Sequence, residues 1–244
     1  MAKIYVIGIG PGNMEDMTIR AKKAIENADT IVGYTSYIDL IQDFFPGKEL
    51  ISSGMTKEVD RCKLVLEKAL EGKTVALISS GDSGIYGMAG IMLEVVDAAG
   101  IDVQVEVVPG ITAASSAAAI LGAPMMHDFA VISLSDLMTP WEMIYRRIDY
   151  AAQGDFVICF YNPKSKNRSE YIGIAREVLL KYRNENTPVG IVRNAGRQDE
   201  TIITTTLKDM LEHEIDMFTV VIAGNSQTYV KNGKIITPRG YKIY

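Results

Sequence analysis

Two glycine-bearing loops, each directly after an apolar, β-branched run, constrain the fold of this chain most strongly. The first loop, Ser80-Gly-Asp-Ser-Gly-Ile-Tyr-Gly-Met-Ala89, follows the run Val75–Ser79. The second, Pro109-Gly-Ile-Thr-Ala113, follows Val103–Val108. Each loop leads into a helix-compatible segment, which places it at the carboxyl end of a strand. Ligands bind at that end of open parallel sheets, and glycine lets backbone groups approach them with no Cβ in the way.

Strand and helix patterns alternate through the first half of the chain, which indicates a mostly parallel sheet covered by helices. The predicted strands are Ile4–Ile9, Thr30–Val32, Glu49–Ile51, Thr74–Ser79 and Asp102–Val107. The predicted helices are Thr18–Asn27, Glu58–Leu70, Ile85–Ala98 and Thr112–Leu121. Thr18 is a candidate N-cap, and Gly72 and Gly100 are candidate helix terminators.

A change of composition at Gly122-Ala-Pro124 predicts a linker and two domains, 1–121 and 122–244. In the second half, strands are predicted at Phe129–Leu134, Phe156–Tyr161, Pro188–Arg193, Thr201–Thr205, Phe218–Ala223, Tyr229–Val230 and Ile235–Ile236. Helices are predicted at Trp141–Ala151 and Arg168–Tyr182. Asn232-Gly233 is a hairpin signal, so antiparallel pairing is expected near the carboxyl end. The expected architecture is two α/β domains, the second with a mixed sheet, and a ligand-binding cleft between them.

Composition narrows the class of function. The chain has 244 residues with 25 basic and 30 acidic side chains, and its net charge of −5 argues against a general nucleic-acid binder. No apolar run approaches the roughly 18 residues of a membrane span, and the first residues lack a signal-peptide pattern. Cys62 and Cys159 are predicted to be reduced thiols of a cytoplasmic protein rather than a disulfide.

Two further segments add to the glycine loops: Ile4-Tyr-Val-Ile-Gly-Ile-Gly-Pro-Gly-Asn13 and Phe160-Tyr-Asn-Pro-Lys-Ser-Lys-Asn-Arg168. Together these motifs resemble the tetrapyrrole methylases, which transfer a methyl group from S-adenosylmethionine to a corrin precursor. The longer segment Leu121–Glu142 is similar to one branch, the precorrin-3B / cobalt-factor III C-17 methyltransferases of cobalamin biosynthesis. The resemblance extends over nearly the whole chain. It implies methylation at C-17, contraction of the ring by loss of the meso carbon C-20, S-adenosylhomocysteine as product, and a homodimer.

The resemblance also implies which residues contact the cofactor. They are Pro11, Gly81, Asp82, Ile85, Thr112, Ala113, Asn162 and Gly224. The family often has proline where this chain has Ser83, and serine there is expected to keep the turn but loosen it. Read from the residues alone, the same segments are also compatible with tight turns and a closely packed helix start.

Basic clusters at Lys164–Arg168 and Arg193–Arg197 stand out in a net-acidic chain. They are either solvated loops or substrate contacts, since the acetate and propionate arms of a corrin precursor suit arginine forks. The candidate substrate-binding residues are Lys164, Arg168, Arg193 and Arg197.

Ring contraction needs acid–base help, for which His127, Tyr34 and Tyr37 are the candidate catalytic residues. Packing is the alternative role for each of the three. His213 is expected at the surface. Two distant histidines and two distant cysteines do not form a metal site, so any cobalt would arrive inside the substrate.

Three other functions are alternatives. The chain could methylate another corrin intermediate, or it could be a non-catalytic tetrapyrrole-binding module. A nicotinamide oxidoreductase is disfavoured because Gly8-Ile-Gly-Pro-Gly12 departs from G-x-G-x-x-G and Pro11 lacks the N–H that a phosphate would need. The strand Thr30–Val32 also runs into Gly33-Tyr34 instead of an acidic residue for the ribose.

Overall fold

The computed structural model describes residues 3–165 and 168–242. By internal contacts the chain divides into two compact units, Met1–Ala113 and Ala114–Tyr244. The predicted α/β class, with a parallel sheet followed by a mixed sheet, is confirmed. The domain boundary predicted after residue 121 stays a prediction.

The first unit contains a five-stranded parallel sheet in the order β3-β2-β4-β1-β5. Its strands are β1 (Lys3–Gly8), β2 (Thr30–Tyr34), β3 (Glu49–Ser53), β4 (Thr74–Ser79) and β5 (Gln104–Val108). Its helices are α1 (Ile19–Glu26), α2 (Thr35–Ile41), α3 (Glu58–Leu70) and α4 (Ala89–Ala99). Separate apolar clusters lie on the two faces of the sheet, as expected for parallel strands covered on both sides.

Some helix ends in this unit lie where local sequence signals predict them, and others do not. The Thr18 hydroxyl accepts the Ala21 N–H at 3.0 Å, and Gly100 ends α4 in the left-handed conformation at φ 63°, both as predicted. Helix α4 begins at Ala89, four residues after the predicted Ile85, because Tyr86 has φ 54° and Ser83 O accepts the Ala89 N–H. The short helix α2 was not predicted.

The second unit contains a mixed five-stranded sheet in the order β10-β9-β11-β8-β7. Helix α5 (Ala113–Leu121) begins at the division between the units, and the other helices are α6 (Trp141–Gln153) and α7 (Tyr171–Leu180). The strands are β6 (Gly122–Ala123), β7 (Phe129–Ser133), β8 (Val157–Tyr161), β9 (Pro188–Arg193), β10 (Thr201–Thr206) and β11 (Thr219–Ala223). Strands β7 and β8 pair in parallel, and β11 is antiparallel to both β8 and β9. The carboxyl ends of β7, β8 and β9 therefore share one edge.

A third, three-stranded sheet completes the second unit in the order β12-β13-β6. Strands β12 (Tyr229–Lys231) and β13 (Lys234–Ile236) form an antiparallel hairpin whose turn, Asn232-Gly233, has φ values of 50° and 73°. The hairpin prediction is confirmed, since both turn residues need positive φ. Gly122 and Ala123, expected within a linker, instead pair in parallel with Ile235 and Ile236.

The two cysteines are buried free thiols. Burial raises the pKa of Cys62 to about 11 and that of Cys159 to about 12. Because the thiolate is the reactive form, we expect neither thiol of the native protein to react with Ellman's reagent at pH 8, whereas both react in guanidinium chloride. If either thiol of the native protein reacted as fast as it does in guanidinium chloride, this burial would be contradicted.

Candidate functional site

Three glycines at the carboxyl edge of the first sheet bring the loops after β1, β4 and β5 into contact. We call Gly8, Gly81 and Gly110 the glycine junction. A Cβ on Gly110 would lie 2.2 Å from Gly81 O and 2.4 Å from Gly8 O, and a Cβ on Gly8 would lie 2.6 Å from Gly81 O. Only glycine fits at Gly8 and Gly110, because the obstructing atoms are backbone.

Hydrogen bonds fasten the first two of these loops together. The Gly10 N–H donates to Gly81 O at 3.0 Å, and the Gly81 N–H donates to Gly10 O at 2.8 Å. Both glycines have positive φ, 65° at Gly10 and 67° at Gly81. Pro11 follows in this turn and is buried. The edge is thus a preformed arrangement of backbone groups.

The Asp82 carboxylate joins the β4 loop to the β5 loop. One oxygen accepts the Gly110 N–H at 3.0 Å, and the other accepts the Gly84 N–H at 2.8 Å. The family resemblance implies that Asp82 contacts the cofactor. The structure shows that both of its oxygens already bind backbone, so Asp82 holds the loops in position.

Ser83 lies fully buried beneath the same loops. Its hydroxyl is 3.2 Å from Val6 O and 3.3 Å from Val108 O. The expected loosening relative to proline is therefore accompanied by contacts to β1 and β5 that proline could not make.

The structure brings together several of the predicted cofactor residues of the first unit. A Cβ built on Gly81 would lie 3.6 Å from Ala113 N and 3.7 Å from Thr112 Cα. Ile85 is 41% exposed on the same loop as Asp82. These residues suit a ligand that is recognised through backbone donors and acceptors, as the amino-acid and ribose groups of S-adenosylmethionine would be.

A cavity of about 180 Å³ lies next to this edge. Tyr34 and Tyr37, the predicted catalytic tyrosines, line it in an edge-to-face pair with ring centroids 5.2 Å apart. Tyr86 and Arg61 also line it. The two predicted tyrosines therefore come together at the carboxyl end of β2.

In the second unit, Asn162 and Arg168 lie at the carboxyl end of β8. Asn162 has φ 49°, and its side-chain amide donates to Ser133 Oγ at 3.0 Å. The Arg168 guanidinium donates to Leu134 O at 2.6 Å and lies 3.4 Å from Asp136 Oδ1. Arg168 thus joins the loops after β7 and β8, and its side chain is only 12% exposed.

Arg193 and Arg197 lie at the same edge, where β9 ends. The Arg193 Nε–H donates to Asp216 Oδ2 at 2.7 Å, and this hydrogen bond raises the pKa of Arg193. Burial would raise the pKa of Asp216, but the hydrogen bonds from Arg193, Thr219 and Phe218 outweigh it and lower that pKa. Arg197 sits in the turn closed by its N–H to Asn194 O at 2.9 Å.

Lys164 lines a different cavity, of about 490 Å³, together with His213, Glu170 and Glu177. His213, expected at the surface, is partly buried and lies 3.2 Å from Thr205 Oγ1.

His127 and Gly224 lie at the opposite edge of the second sheet from Asn162. His127 is exposed and precedes β7, and Gly224 follows β11, which runs antiparallel to β8. A five-residue strand spans about 16 Å, so the structure does not bring His127 or Gly224 together with Asn162. The Gly224 carbonyl accepts a hydrogen bond from Arg183 at 2.7 Å.

Sequence reasoning missed two buried arginines. Arg183 donates to Gly224 O and Phe156 O, and burial, only partly offset by Asp155, lowers its pKa to about 10. Arg61 is 4% exposed. One signal was available: Arg61, Val65 and Ala69 are spaced four residues apart, so Arg61 falls on the apolar stripe of α3.

Within residues 3–165 and 168–242, no three His, Cys, Asp or Glu side chains are grouped so as to hold a metal ion. Over the same residues, no helix has the length and apolar character needed to cross a membrane.

The sequence profile of the Tetrapyrrole (Corrin/Porphyrin) Methylases matches residues 3–211. The chain belongs to the tetrapyrrole methylase family. It is 52% identical over 244 residues to the cobalt-factor III methyltransferase of Priestia megaterium, covering 98% of this chain but 45% of that protein. The chain therefore spans about half the length of that relative. It is 50% identical to the probable cobalt-factor III C(17)-methyltransferase of Salmonella typhimurium, covering 98% of this chain and 100% of that protein.

The fold of this tetrapyrrole methylase is also that of a solved relative. The crystal structure of the methyltransferase CobJ superposes with a TM-score of 0.92 at 34% identity, covering 98% of this chain and 100% of that chain.

Proposed function

We propose that this chain is an S-adenosylmethionine-dependent C-methyltransferase that methylates C-17 of cobalt-factor III, with contraction of the ring, in cobalamin biosynthesis. The observation that carries the proposal is the 50% identity over the full length of a relative named for that substrate and position. The preformed loop edge around the glycine junction supports it, because that edge presents backbone groups where parallel sheets bind ligands.

S-adenosylmethionine would supply an activated methyl group on a sulfonium centre. We assign its binding to the first-unit residues around the glycine junction, Pro11, Gly81, Asp82, Ile85, Thr112 and Ala113, and to Asn162 in the second unit. Gly224, which lies at the opposite edge of the second sheet from Asn162, is not part of this assignment. The role of Asp82 is to hold Gly84 and Gly110 in place. Since the donor is already activated, the protein mainly aligns the reactants and excludes water.

The chain offers no thiolate for a covalent step, in keeping with direct methyl transfer. Burial keeps the thiols of Cys62 and Cys159 protonated at neutral pH by raising their pKa values to about 11 and about 12. An electron-rich carbon of the tetrapyrrole is itself the nucleophile.

We assign contacts with the acidic arms of the substrate to Lys164, Arg168, Arg193 and Arg197. Arg193 and Arg168 already lie beside Asp216 and Asp136. These aspartates fix the guanidinium groups in one orientation, which lowers the entropy cost of gripping a carboxylate.

We assign acid–base catalysis of the ring contraction to His127, Tyr34 or Tyr37. We expect at least one of the variants His127→Ala, Tyr34→Phe and Tyr37→Phe to lose roughly 100-fold or more in turnover, while S-adenosylhomocysteine affinity by calorimetry is retained. If all three variants keep full activity, the assignment is dropped.

Equilibrium dialysis tests the proposed function against a non-catalytic tetrapyrrole carrier. The purified protein is dialysed separately against S-adenosylmethionine, cobalt-factor III and precorrin-3B. The proposal predicts binding of S-adenosylmethionine and of cobalt-factor III. If the protein binds a tetrapyrrole but does not bind S-adenosylmethionine, the proposal is contradicted and a carrier is favoured. Tighter binding of precorrin-3B than of cobalt-factor III would identify the metal-free form as the substrate.

We further propose that the chain works in the cytoplasm as a homodimer. The free thiols support a reducing compartment, and the dimer rests on the family resemblance. Light scattering at micromolar concentration should give twice the mass of the chain, and a monomer mass would remove the dimer.

A further inference from the structure

Arg61 is a buried cation in the first unit. Among the residues that the structure describes, the hydrogen-bond acceptors of its guanidinium are neutral: Nε donates to Ser53 Oγ at 2.8 Å, and Nη2 donates to Gly54 O at 2.8 Å. None of the ion pairs found among residues 3–165 and 168–242 includes Arg61. A buried charge is costly unless an opposite charge accompanies it, so the position favours a ligand that brings one.

The outer nitrogen of Arg61 retains hydrogen-bonding capacity. Guanidinium carries five N–H donors. Within the described part of the chain, the acceptor recorded for Nη1 is the thioether of Met88, at 3.7 Å. A thioether sulfur is a weak acceptor, so Nη1 is able to bind a stronger one.

Arg61 lines the 180 Å³ cavity beside Tyr34, Tyr37 and Tyr86. Tyr34 ends β2 and Ser79, which also lines the cavity, ends β4. The cavity therefore lies at the ligand-binding edge of the sheet. It is smaller than the roughly 300–1,000 Å³ of pockets that hold whole drug-sized ligands, so it accommodates one arm of a larger molecule.

Glu58 also lines the cavity, one turn before Arg61 on α3. It lies in the first turn of α3 and is partly exposed, whereas Arg61 is buried. Water and salt screen an exposed charge more than a buried one, so the charge of Glu58 is screened more strongly than that of the buried guanidinium.

We propose that this cavity is a carboxylate-binding subsite in which Arg61 binds one carboxylate of a ligand between tyrosine walls. The inference rests on the proposed function for the identity of that ligand. The carboxylate comes either from an acetate or propionate arm of the tetrapyrrole or from the amino-acid end of S-adenosylmethionine. Both sources share the chemistry that a guanidinium recognises.

The test compares Arg61→Met with Arg61→Lys and with Arg20→Met, a control that removes an exposed arginine paired with Glu106 in the same unit. Affinities for cobalt-factor III and S-adenosylhomocysteine are measured separately, with the melting temperature of each variant. We expect Arg61→Met to weaken one ligand by roughly 10- to 100-fold, the worth of a charge-assisted hydrogen bond. Arg61→Lys should recover part of the loss, and Arg20→Met should bind as wild type.

A second variant covers the case in which Arg61→Met does not fold. Ile91→Phe adds bulk to the cavity lining without removing the guanidinium, and it is expected to weaken the same ligand. Selective loss of cobalt-factor III binding assigns the carboxylate to the tetrapyrrole. Selective loss of S-adenosylhomocysteine binding assigns it to the cofactor. Wild-type affinity for both ligands in every folded variant overturns the proposal.

A ligand-independent measurement separates failure of the subsite from failure of the proposed function. If the wild-type protein binds neither ligand, ¹³C-carboxyl propionate is titrated by NMR, with propionamide as the neutral control. Line broadening of propionate that disappears in Ile91→Phe supports the subsite. Equal spectra with the two proteins overturn it.

Discussion

Replacing Gly110 with alanine is expected to lower the free energy of unfolding by about 3 kcal/mol or more, the upper end of what overpacking costs. The new methyl group would lie 2.2 Å from Gly81 O and 2.4 Å from Gly8 O. Both obstacles are carbonyl groups of the backbone, so no side chain can rotate away. The loops after β1, β4 and β5 would have to separate, and S-adenosylhomocysteine binding should be lost as well. Urea unfolding followed by circular dichroism measures the first effect.

Gly90→Ala is the matched control. Gly90 lies inside α4, where an added Cβ meets nothing within 4 Å. Alanine there should raise stability by about 0.5–1 kcal/mol, because it is the better helix former and restricts the unfolded chain. If Gly110→Ala unfolded at the same urea concentration as wild type, the close packing of the glycine junction would be wrong.

Asp82→Ala is expected to weaken S-adenosylhomocysteine binding by roughly 10- to 100-fold, since it removes a charged acceptor from two backbone N–H groups. The Gly110 and Gly84 N–H groups would lose partners now at 3.0 and 2.8 Å, and the β4 loop would no longer be tied to the β5 loop. Asp82→Asn keeps one acceptor oxygen and should give an intermediate loss. Isothermal titration calorimetry measures all three proteins.

Asp97→Ala, an exposed change in α4, controls for the loss of one negative charge in the same unit. It should bind S-adenosylhomocysteine as wild type does. Wild-type affinity in a folded Asp82→Ala protein would remove Asp82 from the proposed cofactor site.

Local signals account for what could be predicted of the fold. Helix α3 and strands β4 and β9 have the predicted bounds, 58–70, 74–79 and 188–193, because periodicity and flanking turn residues define them locally. The start of α4 could not be predicted, since it depends on positive φ at Tyr86, a residue type that seldom adopts it. Gly122 pairs with Ile235, which is far away in the sequence. Local composition does not reveal such a pairing, and it therefore indicated a linker.

Part of the candidate site could also be predicted from the sequence. Grouping Gly81 with Thr112 and Ala113 follows from the rule that parallel strands end at one edge, and the structure brings the three together. The edges occupied by His127 and Gly224 depend on strand directions that sequence alone did not give. Both Asp82 oxygens accept hydrogen bonds from backbone N–H groups, and Arg61 is buried. Both features depend on contacts between loops and a helix, which no single segment of the sequence encodes.

Mass spectrometry with methyl-labelled S-adenosylmethionine tests the proposed function most directly. The purified protein is incubated with cobalt-factor III and, separately, with precorrin-3B, and the products are fragmented to locate the label. We predict one labelled methyl at C-17 of a ring-contracted product from cobalt-factor III. Absence of label from both substrates, with S-adenosylmethionine still bound, would contradict the C-17 assignment and direct the search to other corrin intermediates.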